Sequence, residues 1–152
     1  MAKLTDEMNK VLVEHSLGYV ASIAADGSPS LSPKATFLPF GADLIMFGEM
    51  RSPTTVKNIA ANPMVEVNFV DVLERRGFRC KGPAVFHARG SEQYDDCLAE
   101  FAKVRDKALL DMFNGIVLID LESASPLISP AYETGETEES LRAAFKDVYA
   151  KL

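Results

Sequence analysis

The spacing between predicted strands constrains the fold of this chain more than any other feature of its sequence. Six segments have the alternating or continuous apolar pattern of β-strands, and most of them are joined by short turns. A parallel, doubly wound sheet needs a helix after nearly every strand, and the connections here are too short for that. The pattern therefore predicts a mainly β fold with peripheral helices, in which six antiparallel strands form a closed barrel.

The second predicted strand contains a proline. The six strands are predicted at residues 18–24, 28–37, 43–48, 65–69, 78–87 and 115–121. Pro33 lies in the middle of the second strand and cannot donate a hydrogen bond to a neighbouring strand. We therefore expect that strand to have an open or irregular side.

Helical spacing of apolar residues marks the segments between and beyond these strands. Helices are predicted at residues 4–15, 52–61, 91–112 and 137–150. A turn-rich segment with two prolines, residues 125–135, precedes the last helix. Because the sequence has neither an internal repeat nor a long linker, residues 1–152 are expected to form a single domain.

Charge and composition argue against several classes of function. The net charge of −6 does not favour nucleic acid as a partner, since binding phosphate backbones needs a basic patch. No apolar run approaches the roughly 20 residues of a membrane span, and the first residues lack the apolar core of a signal peptide, so we expect a cytoplasmic protein. The two cysteines, Cys80 and Cys97, lack CxxC spacing and are expected to be buried thiols, and no metal site is predicted.

The segment between the third strand and the next helix has the features of an anion-binding turn. Ser52 is a favourable N-cap, which would leave the backbone N–H groups of Thr54 and Thr55 as free donors at a helix N-terminus. Arg51 could add a charge-assisted contact. The segment therefore predicts either a phosphate site or an ordinary capped helix with a solvated arginine.

A second polar stretch lies on the proline-containing strand. Ser32 and Lys34 flank Pro33, so a hydroxyl and an ammonium group stand beside an unpaired position. Such a strand could present polar groups to a planar ligand. It could equally be an edge strand that a lysine protects from pairing.

Together these stretches resemble a known family. The runs GYVASIAADGSPSLSPK, DLIMFGEMRSPTTVKNIAANPMVEVNFVD and RGFRCKGPA, in this order and spacing, are similar to the pyridoxamine 5′-phosphate oxidase-like, FMN-binding split-barrel family. The run SPLISPAYETGETEESLR resembles the tail of one bacterial branch of that family. The resemblance covers roughly residues 15–150.

The resemblance implies a six-stranded split barrel that forms a homodimer and binds FMN noncovalently at the dimer interface. It places the flavin ring along the second strand and the phosphate at the turn and helix start after the third. By position, ring and ribityl contacts would come from Ser32, Pro33, Lys34 and Ala35, flanking positions from Phe47 and Gly48, and phosphate contacts from Arg51, Ser52, Thr54 and Thr55. Lys81 would be a further contributor beside this site. Tyr132 would either pack against its own subunit or reach toward the flavin.

Two departures from the family pattern bear on activity. Members that act on pyridoxine phosphates have an Arg/Lys pair where this chain has Thr54 and Thr55, and basic residues near the C-terminus that the ending AAFKDVYAKL does not match. The resemblance therefore implies a flavin-dependent oxidoreductase that moves electrons from a reduced nicotinamide or deazaflavin to a small acceptor, rather than a vitamin B6 oxidase. The alternatives are a non-catalytic flavin carrier or redox and stress sensor, and a dimer that binds another phosphorylated ligand.

Overall fold

The chain folds into a mainly antiparallel β structure with peripheral helices, as the sequence predicts. The computed structural model describes residues 2–152, so residue 1, where the predicted domain begins, lies outside the described residues. The described strands are β1 (Gly18–Ile23), β2 (Pro29–Lys34), β3 (Leu38–Phe40), β4 (Leu44–Glu49), β5 (Met64–Asp71), β6 (Arg76–Ala88), β7 (Gly115–Asp120) and β8 (Ser123–Ile128). The helices are α1 (Asp6–His15), α2 (Pro53–Ala61), α3 (Glu92–Phe101), α4 (Lys107–Leu110) and α5 (Glu138–Tyr149), with a 3-10 helix at Pro130–Thr134.

Residues 2–152 contain eight strands where six were predicted. The predicted strand 28–37 is observed as the shorter β2, an unpredicted strand β3 follows it, and the predicted turn-rich segment contributes β8. Strand β8 pairs with β6 alone and is therefore an edge strand. Pro126 within it has no backbone N–H, which an edge strand tolerates. The predicted helix 91–112 is divided, because Asp106 caps a separate α4 by accepting a hydrogen bond from the Leu109 N–H.

The sheet curls without closing, which corrects the closed barrel that strand spacing alone predicted. The strand order is β2-β1-β5-β6-β7-β4-β3, with β8 also paired to β6, and every pair is antiparallel. The strands at the two ends of this order, β2 and β3, are separated by residues 35–37 alone, so the curled sheet brings these two ends near each other. Pro33 and Pro39 lie in these edge strands, where their missing N–H groups do not interrupt a ladder. The result is a split barrel.

Strand β6 connects the two halves of the sheet. Along residues 76–81 it pairs with β8, and along residues 84–88 it pairs with β7, with a one-residue change of register between the two. Gly82 lies at this change, where an added Cβ would stand 1.7 Å from the Asp120 carbonyl oxygen. A side chain there would force the backbones apart, so this position requires glycine.

The interior is filled by two apolar clusters on either side of the sheet. One is organised around the rings of Phe37, Phe47, Phe69 and Phe78, with centroid separations of 4.8–5.1 Å. The other packs α3 and the chain before β7 against the sheet. Both cysteines are buried as predicted, and burial raises the pKa of the Cys80 thiol to about 12.

The C-terminal helix is attached mainly through polar contacts. Leu141 is its one buried residue, whereas Arg142 donates to Asp71 at 3.0 Å and contacts Glu74. His15 lies 3.1 Å from the same Asp71 carboxylate, which joins α1 to this cluster. Among the described residues, no helix is long and apolar enough to cross a membrane.

A buried threonine completes the edge of β4. Thr36 is 4% exposed, and its hydroxyl accepts from the Gly48 N–H and donates to the Gly48 carbonyl oxygen, both at 3.0 Å. The side chain thus takes the place of a strand partner for Gly48, next to the point where β3 begins. It fixes the end of β4 relative to the chain that follows β2.

We predict that Thr36→Val destabilises the fold by about 2 kcal/mol, because the isosteric change leaves the N–H and C=O of Gly48 buried without partners. The free energy of unfolding, measured by urea denaturation, tests this. Thr134→Val is the matched control, since it removes the same oxygen from an exposed hydroxyl. Equal stabilities for the two variants would contradict the role given to Thr36.

Candidate functional site

A cleft of about 390 Å³ opens between β2, the end of β4 and the turn that leads into α2. Seven of the ten predicted site residues line it: Ser32, Pro33, Lys34, Ala35, Gly48, Arg51 and Ser52. Two stretches that are separated in the sequence are thus brought to one place, as the resemblance implies. The volume is within the range of small-molecule and cofactor sites.

The turn before α2 is held by internal hydrogen bonds. Both the N–H and the hydroxyl of Ser52 donate to the Glu49 carboxylate, at 2.5 and 3.0 Å. On the other side, the Asn114 side chain donates to the Met50 carbonyl oxygen, and the Asn114 N–H donates to that of Glu49 at 2.7 Å. The turn therefore has a defined shape that does not depend on a ligand.

Ser52 occupies the N-cap position of α2, as predicted, but its side chain does not cap the helix. The hydroxyl is oriented toward Glu49 instead of accepting from the first helical turn. The backbone N–H groups of Thr54 and Thr55 make no hydrogen bond among residues 2–152. Both donors lie at the positive end of the helix dipole, where negative charge is stabilised.

The predicted phosphate residues differ in exposure. Arg51 is exposed, lines the cleft and has no ion-pair partner within the described chain. Thr54 is also exposed but lies outside the cleft lining, and Thr55 is 2% exposed. Thr55 as a whole is therefore enclosed by the protein, and Thr54 is the accessible threonine of the two.

Lys34 supplies a partly buried positive charge to the cleft. Its Nζ donates to the Ser32 hydroxyl at 2.5 Å and stands 6.0 Å from the centroid of the Phe47 ring. Burial lowers the pKa of Lys34, and the Glu49 carboxylate opposes that shift.

Phe47 was predicted to flank the cofactor, and the structure places its ring elsewhere. The side chain is fully buried in the aromatic cluster beside Phe37, so its ring underlies the cleft and does not line it. Gly48, the next residue, does line it. The reason is strand alternation: consecutive side chains of β4 point to opposite faces.

The cleft also contains residues that sequence reasoning did not identify. Thr36 and Met50 adjoin predicted residues, so proximity in the sequence could have indicated them. Met112, which is 58% exposed, comes from the chain between α4 and β7 and has no local signal. The two methionines thus add apolar side chains to the lining that contains Lys34 and Arg51.

Lys81 and Tyr132 lie away from this cleft. Lys81 is on the exposed face of β6, three strands from β2, in a polar depression with Glu66 and Arg79. The Tyr132 hydroxyl donates to the Glu74 carbonyl oxygen at 2.7 Å, which is packing within its own chain. Within one chain, then, neither residue joins the site.

The arrangement suits a ligand with a planar, partly apolar body and an anionic group. Apolar methionine side chains lie near one arginine, one lysine and two free backbone donors. Arginine and helix N-termini are the usual partners of phosphate groups in proteins.

Comparisons with known proteins agree with this fold. The HupZ protein of Group A Streptococcus has a similar structure, with a TM-score of 0.69 and 25% sequence identity over 83% of this chain and 95% of that one. A structure described as F420 reductase matches with a TM-score of 0.61 and 17% identity over 80% and 98% of the two chains. HutZ of Vibrio cholerae, described as a heme storage protein, matches with a TM-score of 0.65 and 15% identity over 84% and 95%.

No curated protein sequence matches the chain. A family model, in contrast, matches residues 4–115, which include β1 to β6 and every lining residue of the cleft, and its description is pyridoxamine 5′-phosphate oxidase. The chain belongs to the pyridoxamine 5′-phosphate oxidase family.

Proposed function

We propose that this protein binds FMN noncovalently in the cleft and acts as a flavin-dependent oxidoreductase. One observation carries the proposal: an amphipathic cleft adjoins a helix N-terminus with free N–H groups and an unpaired arginine. The phosphate would lie near Arg51 and the start of α2. The ring would lie along β2, where Ser32 and Lys34 supply hydrogen-bond donors to its polar edge.

The bound flavin would supply hydride and electron transfer, and the protein would supply binding and orientation. Lys34 is suited to orient the ring because its ammonium group is already positioned by Ser32. Met50 and Met112 would exclude water from one side of the ligand. The electron donor would be a reduced nicotinamide or a deazaflavin, a choice that the similarity to an F420 reductase supports.

Heme is a second candidate ligand, because HutZ is described as a heme storage protein. The lining of the cleft favours flavin. Neither of the two histidines, His15 and His87, belongs to that lining, and His15 is paired with Asp71. Two methionine thioethers would remain as iron ligands, whereas the donors suited to phosphate are all present.

A homodimer is part of the proposal, with the flavin at its interface. The outer face of β1, β2 and β5 exposes five large apolar residues, Tyr19, Ile23, Leu31, Met64 and Val70. Leu31 is 67% exposed, and Pro33 belongs both to this face and to the cleft. A contiguous apolar face of this kind is typical of a protein interface, and its partner here would be a second copy of the chain.

We predict that Arg51→Ala weakens FMN binding about 10- to 100-fold, because a charge-assisted phosphate contact contributes roughly 1.5–3 kcal/mol. Riboflavin, which lacks the phosphate, should bind both forms equally. Fluorescence titration of each flavin measures this, and Lys146→Ala serves as a matched control on exposed α5. Unchanged FMN affinity in the Arg51 variant would place the phosphate elsewhere.

We expect the purified protein to show a visible flavin spectrum that NADPH or a reduced deazaflavin bleaches under anaerobic conditions. Chemical reduction by dithionite gives the full amplitude for comparison. A flavin that dithionite reduces and neither donor reduces would indicate a carrier or sensor. A protein that takes up no flavin would indicate a different phosphorylated ligand.

We predict that Leu31→Asp converts the dimer to a monomer and weakens FMN binding, since it buries a charge in the proposed interface. Light scattering at micromolar concentration measures the mass. Val104→Asp introduces the same charge at a residue that is 57% exposed after α3, away from this face, and should remain dimeric. A wild-type protein that is monomeric at this concentration would exclude the proposed assembly.

A further inference from the structure

A buried carboxylate lies directly behind the proposed phosphate turn. Glu49 is the last residue of β4 and is 5% exposed. Its backbone is fixed on the side of β7, where it is paired with Gly115 and accepts a hydrogen bond from the Asn114 N–H. A negative carboxylate beside a site for an anion repels that anion, so Glu49 opposes the binding of phosphate at this turn.

The Glu49 carboxylate takes both donors of Ser52. The N–H and the hydroxyl of that residue point to the same oxygen, Oε1. A phosphate at the turn would therefore compete with Glu49 for Ser52, while Arg51 and the N–H groups of Thr54 and Thr55 remain free. The carboxylate occupies the position toward Ser52 that a phosphate oxygen would otherwise take.

Glu49 also acts on the second positive charge of the cleft. Burial lowers the pKa of Lys34, and the charge of Glu49 raises it again. Glu49 therefore attracts Lys34 through space, without a direct ion pair between the two side chains in the described chain. Part of the attraction that Lys34 would offer to an anionic ligand is already compensated within the protein.

We infer that Glu49 is a specificity-determining residue, which acts through Ser52 and Lys34 to shape the turn and to reduce the preference of the cleft for phosphate-bearing ligands over their uncharged counterparts. This inference rests on the proposed function. It explains why a cleft with two cationic side chains need not bind a dianion tightly. It also assigns Ser52 to the support of the turn and not to the direct binding of phosphate.

The substitution Glu49→Gln tests this, because glutamine keeps a side-chain oxygen for Ser52 and removes the negative charge. FMN should bind about 5- to 50-fold more tightly, as expected for a unit charge removed several ångströms from a phosphate. Riboflavin affinity should change by less than about twofold, since it lacks the charged group. The ratio of the two dissociation constants isolates the effect on phosphate from any general effect on the fold.

Glu122→Gln is the matched control. Gly115, the partner of Glu49, begins β7, and the exposed Glu122 carboxylate lies just beyond the other end of that strand. Its loss therefore changes the net charge equally without affecting the cleft. Its FMN-to-riboflavin ratio should equal that of the wild type. Equal changes for both flavins in the Glu49 variant, or a loss of FMN affinity, would overturn the inference.

Inorganic phosphate provides a second readout that does not require flavin. The NMR signal of the Lys34 side chain reports its pKa, which should fall in Glu49→Gln, and phosphate should shift that signal at lower concentration than in the wild type. If the wild type binds neither flavin, the proposed function fails and this titration still decides the inference. An unchanged Lys34 pKa and unchanged phosphate affinity would refute it.

Discussion

Strand β6 must pair with β5, β7 and β8, and the rest of the structure depends on its doing so. Its thirteen residues belong to both halves of the split barrel. β7 and β8 pair with the same edge of β6, and a bulge at Gly82 changes the register between them. The bulge is possible because Gly82 has no Cβ to obstruct the Asp120 carbonyl oxygen. Without that bulge, one half of the ladder would be displaced by a residue and its side chains would exchange faces.

The cleft follows from this arrangement through two connections. β7 fixes the backbone of β4 up to Glu49, and the Thr36 hydroxyl fixes the opposite edge at Gly48. The end of β4 is thereby held between β7 and the chain that follows β2. A ligand in this cleft meets a surface that is already formed, so little ordering of the protein opposes binding.

Family membership and the charges of the cleft both bear on which ligands the cleft can bind. The family model matches every lining residue of the cleft, from Ser32 on β2 to Met112 before β7. Yet the helix start carries Thr54 and Thr55, one with a buried side chain, and Glu49 offsets part of the cationic charge. In the proposed function, the anionic group of the ligand would therefore be met mainly by Arg51 and backbone donors. This is a weaker electrostatic site than a cluster of lysines and arginines would make.

The sequence by itself determined the fold class, the family and most of the cleft. Alternating apolar residues identify strands because burial of one face is a local pattern, and the turn before α2 is recognisable from Arg51 and Ser52 within a few positions. Only the tertiary structure decided which strands form the edges, that β8 exists despite Pro126, and that the Phe47 ring lies in the core. It also decided that Met112 reaches the cleft and that Ser52 bonds to Glu49. Those outcomes depend on contacts between distant segments and on whether the Ser52 hydroxyl donates to Glu49 or accepts from the first turn of α2, and neither leaves a periodic signal in the chain.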